Sequence, residues 1–241
     1  MQPAAITYMP DALDGAVREA WTESCLAGLA EEVAGRLLRD AHPRALAAGE
    51  SFHRSGDDPG PGGLALVVRG LLRIYRRAAD GRELTVRYVT PGGLVGLPAV
   101  LGHPSTAALD CAALRASTVL VLAPDGFRET IGTDPSVASA LCRYLSDELV
   151  EAQQTLAGDV LLPVRSRVAC HLLSLAERHE RELVVRATPQ HLAAAVGSVR
   201  EVVARVLRCM EQTGLVQRRA GQFVLVDTAA LHRVWAGESG L

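Results

Sequence analysis

The spacing of apolar residues changes once before residue 134, which predicts a helical segment followed by a β-domain. Residues 1–45 carry apolar side chains at helical spacing, which predicts a helical lead-in. From Ala48 to Ala123, short apolar or alternating runs are broken by glycine and proline, a pattern typical of an all-β sandwich or roll. The lead-in positions are Val17, Trp21, Leu26, Leu29, Val33 and Leu37, and the runs are LALVVRG, LLRIYRR, ELTVRYV, LDCAAL and TVLVLA. Asp80-Gly81 predicts the turn of a hairpin, and residues 51–63 read as a long exposed loop.

A long helix is predicted next, with Asp134 as N-cap and Pro135 at the first helical position. Its apolar residues recur at steps of three and four, like the seam of a two-stranded coiled coil. The seam consists of Ala138, Cys142, Leu145, Leu149, Ala152, Leu156 and Val160. We interpret it as a homodimer interface; the alternative is an amphipathic helix packed on its own β-domain. Pro163 then separates two modules, and another amphipathic helix is predicted over 163–180.

Two short helices joined by a glycine turn follow. Thr188 and Pro189 predict the start of the first helix, which Gly197 ends. Ser198 and Glu201 predict a capping box for the second helix, VREVVARVLRCMEQ. The residues of this helix expected to face a core are Val202, Val203, Val206, Leu207 and Met210.

The outer face of that second helix carries the chemistry of base recognition. Arg200, Glu201 and Arg205 lie in its N-terminal half, the part of a recognition helix that reaches the major groove. Arginine suits guanine O6 and N7, and glutamate can accept a hydrogen bond from cytosine N4. Two strands around Ala220-Gly221 predict a basic hairpin, or wing, and Asp227 predicts the cap of a last helix. The predicted DNA-binding residues are Gln190, Ser198, Val199, Arg200, Glu201, Arg205, Arg208, Arg218 and Arg219; the plain alternative is a helical hairpin with solvated arginines.

Composition narrows the class of protein. The chain has 241 residues, of which 49% are hydrophobic and 22% charged, with a net charge of −2. It can therefore bury the cores of two modules, and it is not a coat protein for nucleic acid. The C-terminal third is locally basic. The five cysteines are too far apart for a zinc, iron–sulfur or disulfide framework, and the absence of an apolar span or signal pattern predicts a cytoplasmic protein without membrane contact.

Two stretches resemble the cyclic-AMP receptor protein/FNR (CRP/FNR) family of bacterial regulators. TPQHLAAAVGSVREVVARVLRCMEQTGLV is similar to the family's TxxxLAxxxGxxRExxxRxLxxLExxGLI pattern, and VVRGLLRIYRRAADGRELTVRYVTPGGLVG to its GxVxVxxxxxDGrExxlxxlxpGdxfG run. Val199 and Val202 depart from the family, in which hydroxyl residues there contact phosphate. The resemblance covers nearly all of the chain after residue 40.

The resemblance implies an α+β fold in three parts. These are a helical lead-in with a cyclic-nucleotide-binding-like β-roll (jelly roll) over 1–133, a dimerisation helix over 134–162, and a winged helix-turn-helix over 163–241. It also implies a homodimer that reads a palindromic, TGTGA-like site on double-stranded DNA through Arg200, Glu201 and Arg205. RNA polymerase is a candidate partner.

The family's cyclic-nucleotide cassette is altered in this chain. Leu97 follows Gly96 where the family has glutamate, and Ala107 supplies no cationic partner for a buried phosphate. The candidate effector pocket comprises Gly96, Leu97, Ser105, Thr106 and Ala107, with Ala152 and Gln153 at the positions that would contact a purine base. Cyclic AMP is therefore not expected to be the effector. An unknown small ligand, or none, is expected instead.

Other chemistries remain as alternatives. Cys25 alone cannot hold an FNR-type iron–sulfur cluster, while His42, His53 and His103 are candidates for a haem ligand by residue type only. A cupin-like metal enzyme would need several converging ligands, and His53 has no partner at HxH spacing. No catalytic residue, metal or cofactor is predicted, so the chain is not expected to be an enzyme. A degenerate helix-turn-helix that acts only through protein contacts is the last alternative.

Overall fold

The computed structural model describes residues 15–55, 63–79, 81, 83–102 and 109–237. The described residues form two compact units, one within the ranges 1–76 and 86–151 and the other within the ranges 77–85 and 152–241. Up to the long helix the elements are α1 (Gly15–Glu23), α2 (Glu31–Leu38), β1 (His42–Leu46), β2 (Ser51–His53), β3 (Leu64–Arg69), β4 (Leu72–Arg77), β5 (Glu83–Val89), β6 (Leu94–Val95), α3 (Leu97–Leu101), β7 (Asp110–Ala113), β8 (Ser117–Leu122) and α4 (Pro124–Thr133). The long helix and the elements after it are α5 (Pro135–Leu161), α6 (Val164–Ser174), β9 (Glu177–His179), β10 (Glu182–Val185), α7 (Pro189–Ala195), α8 (Arg200–Gln212), β11 (Val216–Arg219), β12 (Gln222–Leu225) and α9 (Thr228–Trp235).

The predicted β-roll is confirmed as two facing four-stranded sheets. Their strand orders are β1-β8-β3-β6 and β2-β7-β4-β5. Alternate residues of β3 point to opposite faces, because side chains alternate along a strand. Ala65 and Val67 enter the roll interior with Leu72, Cys111 and Val119. All five predicted apolar runs form strands.

The exposed loop predicted over 51–63 is wrong at its start, because Ser51–His53 form strand β2, which pairs with β7. Strand β7 lies some sixty residues along the chain, so no local pattern announces the pairing. Residues 56–62 lie outside the described residues. So does Asp80 of the predicted hairpin turn; Gly81 of that turn has a φ of +82°.

The described part of the helical lead-in predicted over 1–45 consists of two helices, and it ends before His42, where strand β1 begins. Ser24 ends the first, since its hydroxyl donates to the Trp21 carbonyl at 2.7 Å and accepts from the Leu26 amide at 3.1 Å. All six predicted lead-in residues are nevertheless buried. They pack with the outer face of the first sheet, where Leu64 and Leu66 of β3 point.

Helix α5 begins as predicted and is anchored on the roll by its first turns. The Asp134 carboxylate accepts hydrogen bonds from the Ser136 amide at 3.0 Å and the Ser136 hydroxyl at 2.6 Å. Val137 and Leu141 are buried in the outer apolar cluster, the group of apolar side chains that the lead-in helices and the outer face of the first sheet form together. Tyr144 is hydrogen-bonded through its hydroxyl to the backbone of Leu94. The alternative of a helix packed on its own β-domain is therefore correct for these turns.

The C-terminal unit corrects two local predictions. Helix α6 ends at Ser174 rather than continuing to 180, because Glu177–His179 form strand β9 and pair with β10. Strand β10 also pairs with β12, giving a sheet of order β11-β12-β10-β9. Thr188 caps α7 as predicted, accepting from the His191 amide at 3.2 Å. Ser198 does not cap α8: the N-cap is Val199, which makes no side-chain capping bond.

Candidate DNA-reading surface and effector pocket

The turn between α7 and α8 is built by a left-handed glycine. Gly197 has a φ of +61°, and the Ser198 amide donates to the Ala193 carbonyl at 2.9 Å. This bond spans five residues around a left-handed glycine, which is the Schellman ending of a helix. Ser198 thus belongs to the end of α7, and Val199 in extended conformation (ψ 151°) leads into α8. This explains why the capping box predicted from Ser198 and Glu201 does not form.

Helix α8 has one buried and one free face. Val203, Leu207 and Met210 are buried in the core of the unit, as predicted. Arg200, Glu201, Arg205 and Arg208 are all exposed, and no ion pair joins any of them to another described residue. The predicted base-reading side chains are therefore available to an external partner.

The wing is a tight hairpin with two arginines in different surroundings. Ala220 and Gly221 have φ values of 46° and 78°, as a two-residue type I′ turn requires. The guanidinium of Arg219 is paired with Glu182 at 2.9 Å. That of Arg218 lies 5.7 Å from the ring centre of Phe223. Arg218 is thus the wing arginine without a carboxylate among the described residues.

Arg167 of α6 supports the turn, and the sequence pattern does not reveal it. Its Nη1 donates to the Val196 carbonyl at 2.7 Å, at the end of α7. The hydroxyl of Ser166 likewise donates to Val234 of α9, also at 2.7 Å. An arginine in an amphipathic helix is usually solvated, so only the folded structure identifies this bond as a support of the helix-turn-helix.

Two of the predicted effector residues have structural roles in the roll. Leu97 is 2% exposed and packs in the outer apolar cluster with Leu94 and Val100. Gly96 has a φ of +90°, and a Cβ there would lie 1.6 Å from the Gly63 carbonyl oxygen. Position 96 therefore requires glycine for backbone geometry.

The remaining predicted pocket positions lie in other parts of the chain. Ala152 and Gln153 are exposed on α5 and belong to the second unit. Ser105, Thr106 and Ala107 lie outside the described residues. The interior of the roll is filled by aliphatic and aromatic side chains such as Phe52 and Val121.

Thiols and imidazoles make no metal centre in the part of the chain that the structure describes, where no three potential ligands cluster. Burial raises the pKa of the Cys25 thiol to about 11 and that of Cys111 to about 12, so both are protonated and unreactive at neutral pH. His42 is exposed on β1 and His53 half-buried on β2. His103 lies outside the described residues. No helix in the described ranges is long and apolar enough to cross a membrane.

Comparison with known proteins accounts for both units. The cyclic nucleotide-binding domain model matches residues 43–134, and the Crp-like helix-turn-helix domain model matches residues 166–234. A solved transcriptional regulator of the CRP/FNR family from Thermus thermophilus superimposes with a TM-score of 0.70 at 28% identity, covering 82% of this chain and 100% of that one. The transcriptional regulator SdrP of Thermus thermophilus is 34% identical over 179 residues, 72% of this chain and 84% of SdrP. The chain belongs to the CRP/FNR family of transcriptional regulators.

A further relative of this CRP/FNR regulator is similar to it over most of the length of both chains. The cAMP-activated global transcriptional regulator Vfr of Pseudomonas aeruginosa is 26% identical over 201 residues, 80% of this chain and 93% of Vfr. These relatives are transcriptional regulators rather than enzymes, and the helix-turn-helix domain of this chain is a DNA-binding domain. The predicted fold, a β-roll followed by a C-terminal winged helix-turn-helix, is thereby confirmed. That the chain itself has no enzymatic activity stays a prediction.

Proposed function

We propose that this CRP/FNR regulator is a homodimer that reads a palindromic, TGTGA-like DNA site through α8. The observation that carries the proposal is the outer face of α8, where Arg200, Glu201 and Arg205 are exposed and unpaired among the described residues. Two arginines can each bind a guanine through O6 and N7, and the glutamate between them can accept from cytosine N4. A two-fold dimer would place the two α8 helices in major grooves about 34 Å apart.

Phosphate contacts would come from the polar residues around α8. Arg208 is exposed on its outer face, and Gln190 and Ser198 lie on α7 and in the turn. In the wing, Arg218 is the better donor, because Glu182 already neutralises Arg219. Such contacts orient the protein on the duplex without reading its sequence.

Dimerisation is supported by the apolar side chains that α5 leaves uncovered. Leu145, Leu149 and Leu156 are 40%, 58% and 65% exposed, and all three lie on the predicted seam. Fully burying a leucine contributes about 1.5–3 kcal/mol. A partner helix that covered this seam would therefore be stabilised by several such contributions. We also propose that the chain is divided into a lead-in and β-roll over 1–133, a dimerisation helix over 134–162, which carries this seam, and a winged helix-turn-helix over 163–241.

Cyclic AMP is not the proposed effector. A ribose hydroxyl needs a hydrogen-bond acceptor, and position 97 supplies a buried leucine that already contributes to a core. We propose that the regulator responds to another small ligand or needs none, and that it acts in the cytoplasm. RNA polymerase remains a proposed partner.

The test of the DNA-reading proposal is selection of bound sequences at fixed salt concentration, followed by titration on the selected site. Arg200→Ala and Arg205→Ala should each lower specific affinity by about 5- to 150-fold per half-site, or by the square of that factor for the palindrome, because each half-site loses a bidentate guanine contact worth about 1–3 kcal/mol. Arg39→Ala removes an exposed arginine outside the DNA-binding domain and is the matched control. Equal affinity of all three variants for the selected site would refute the assignment.

The test of the dimer is analytical ultracentrifugation of Leu149→Glu. A charge on the seam should convert the dimer to monomer, because the buried carboxylates would face each other. Val150→Glu changes a 52% exposed valine of the same helix that lies off the seam, so it should stay dimeric. A dimeric Leu149→Glu would place the interface elsewhere.

A further inference from the structure

Val199 is an exposed apolar residue at the point where the DNA-reading helix begins. Its side chain is 56% exposed. It is followed directly by Arg200 and Glu201, which are exposed and charged. Neither the core of the unit nor its partly buried margin includes Val199. The fold therefore gives this side chain no packing role among the described residues.

Helix capping does not explain the valine either. Val199 is the N-cap of α8, a position where serine, threonine, asparagine or aspartate would bond the first-turn amides. Valine is among the least favourable residues there and makes no capping bond. The chain thus places an apolar group where local stability favours a polar one. A binding partner with an apolar feature at that point would account for the choice.

The major groove of DNA offers one such apolar feature, the 5-methyl group of thymine. The first residues of a recognition helix are those that meet the base edges. A valine side chain cannot donate a hydrogen bond to a phosphate, but it can pack on a methyl group. We infer that Val199 is a specificity-determining residue that contacts the 5-methyl group of a thymine next to the base pairs read by Arg200 and Glu201. This inference rests on the proposed role of α8.

The test replaces thymine by deoxyuridine, which removes only the methyl group, at one position of both half-sites at a time. Burial of one methyl group is worth about fourfold in affinity. At one thymine position the wild-type protein should therefore weaken by about fourfold per half-site, or about fifteenfold for the palindrome. Val199→Ala should bind the thymine site about as weakly and show no further loss with deoxyuridine. Val226→Ala, which truncates another exposed valine of the same unit, should behave as wild type.

Three outcomes would overturn the inference. One is a selected half-site without any methyl-sensitive thymine. The second is a Val199→Ala variant whose affinity depends on the thymine methyl group as strongly as that of the wild type. The third is a Val199→Ala variant that loses affinity equally for the thymine and deoxyuridine sites, which would indicate that Val199 packs on the sugar–phosphate backbone. The deoxyuridine series on unmodified protein does not depend on the folding of any variant.

Arg200→Ala, measured in parallel, separates this inference from the function on which it rests. If Arg200→Ala retains specific binding, α8 is not the reader and both proposals fail. If Arg200→Ala loses specific binding while Val199→Ala keeps full methyl sensitivity, only the role of Val199 is refuted.

Discussion

Replacing Leu97 by glutamate, the residue that the family carries at this position, should destabilise the roll without creating a site for cyclic AMP. Leu97 is 2% exposed and packs against Leu94 and Val100. Loss of its apolar contacts costs about 1.5–3 kcal/mol. Burial of a carboxyl group raises its pKa by up to about 3–5 units. At a pH where this carboxyl group is ionised in the unfolded chain, each unit lowers the free energy of unfolding by about 1.4 kcal/mol.

A shift of about two units adds roughly 3 kcal/mol, so Leu97→Glu should lower the free energy of unfolding by about 4–6 kcal/mol at pH 7. That is a large part of the roughly 5–15 kcal/mol typical of a domain. Because the pKa of Glu at position 97 would be higher in the folded than in the unfolded state, the folded state would hold its proton to a higher pH. The free energy of unfolding should therefore fall as the pH rises above the pKa of an unfolded glutamate, about 4.3. The ionisation part of the penalty should therefore shrink between about pH 7 and pH 5.

The assay is urea unfolding followed by circular dichroism at both pH values, with calorimetric titration of cyclic AMP at pH 7. Leu97→Met should cost less than about 1.5 kcal/mol, because it conserves volume. Leu97→Gln should share the packing loss but not the pH dependence. A Leu97→Glu protein as stable as wild type at both pH values, with micromolar cyclic AMP binding, would refute the reasoning and show that position 97 lines a usable pocket.

Three further predictions concern local structure. Gly96→Ala should prevent soluble folding or lower Tm sharply, since its Cβ would lie 1.6 Å from the Gly63 carbonyl oxygen; expression and a thermal melt check this. The Ser136 hydrogen bonds, helped by Arg36, hold the pKa of Asp134 below its usual value, so the Tm difference between wild type and Asp134→Ala should be present at neutral pH and vanish as pH falls through that lowered pKa. Arg167→Ala should lower the free energy of unfolding by about 1–2 kcal/mol, because the Val196 carbonyl at the end of α7 would lose its charged hydrogen-bond donor. An unchanged free energy of urea unfolding would contradict the supporting role of Arg167.

Local chemistry was sufficient to predict the helix-turn-helix. Thr188 before a proline, a left-handed glycine at 197 and apolar residues at helical spacing each act within a few residues of chain. The same holds for the start of α5 at Asp134. These features are readable because hydrogen bonds of caps and the period of a helix depend on near neighbours.

Predictions failed for two physical reasons: in one case the partner strand is distant in sequence, and in the others a competing hydrogen bond or strand pairing close by in the chain decided the local structure. Strands β2 and β9 are each three residues long and are defined by pairing with β7 and β10. The break between α1 and α2 depends on a serine hydroxyl that bonds the chain on both sides of it. The capping role assigned to Ser198 was wrong because its amide already closes the end of α7.

The sequence by itself thus determined the order of the β-roll, the long helix and the helix-turn-helix, the exposed charged face of α8, and the family. The tertiary structure alone decided that Leu97 packs in the outer apolar cluster and that Arg167 supports the turn between α7 and α8. It also decided that Arg219, one of the two wing arginines, forms an ion pair with Glu182. The physical reason is that periodicity and capping are short-range properties of the backbone. The contacts between side chains across the core depend instead on how elements far apart in the chain pack together. The pattern of residues within a short window of sequence does not specify those contacts.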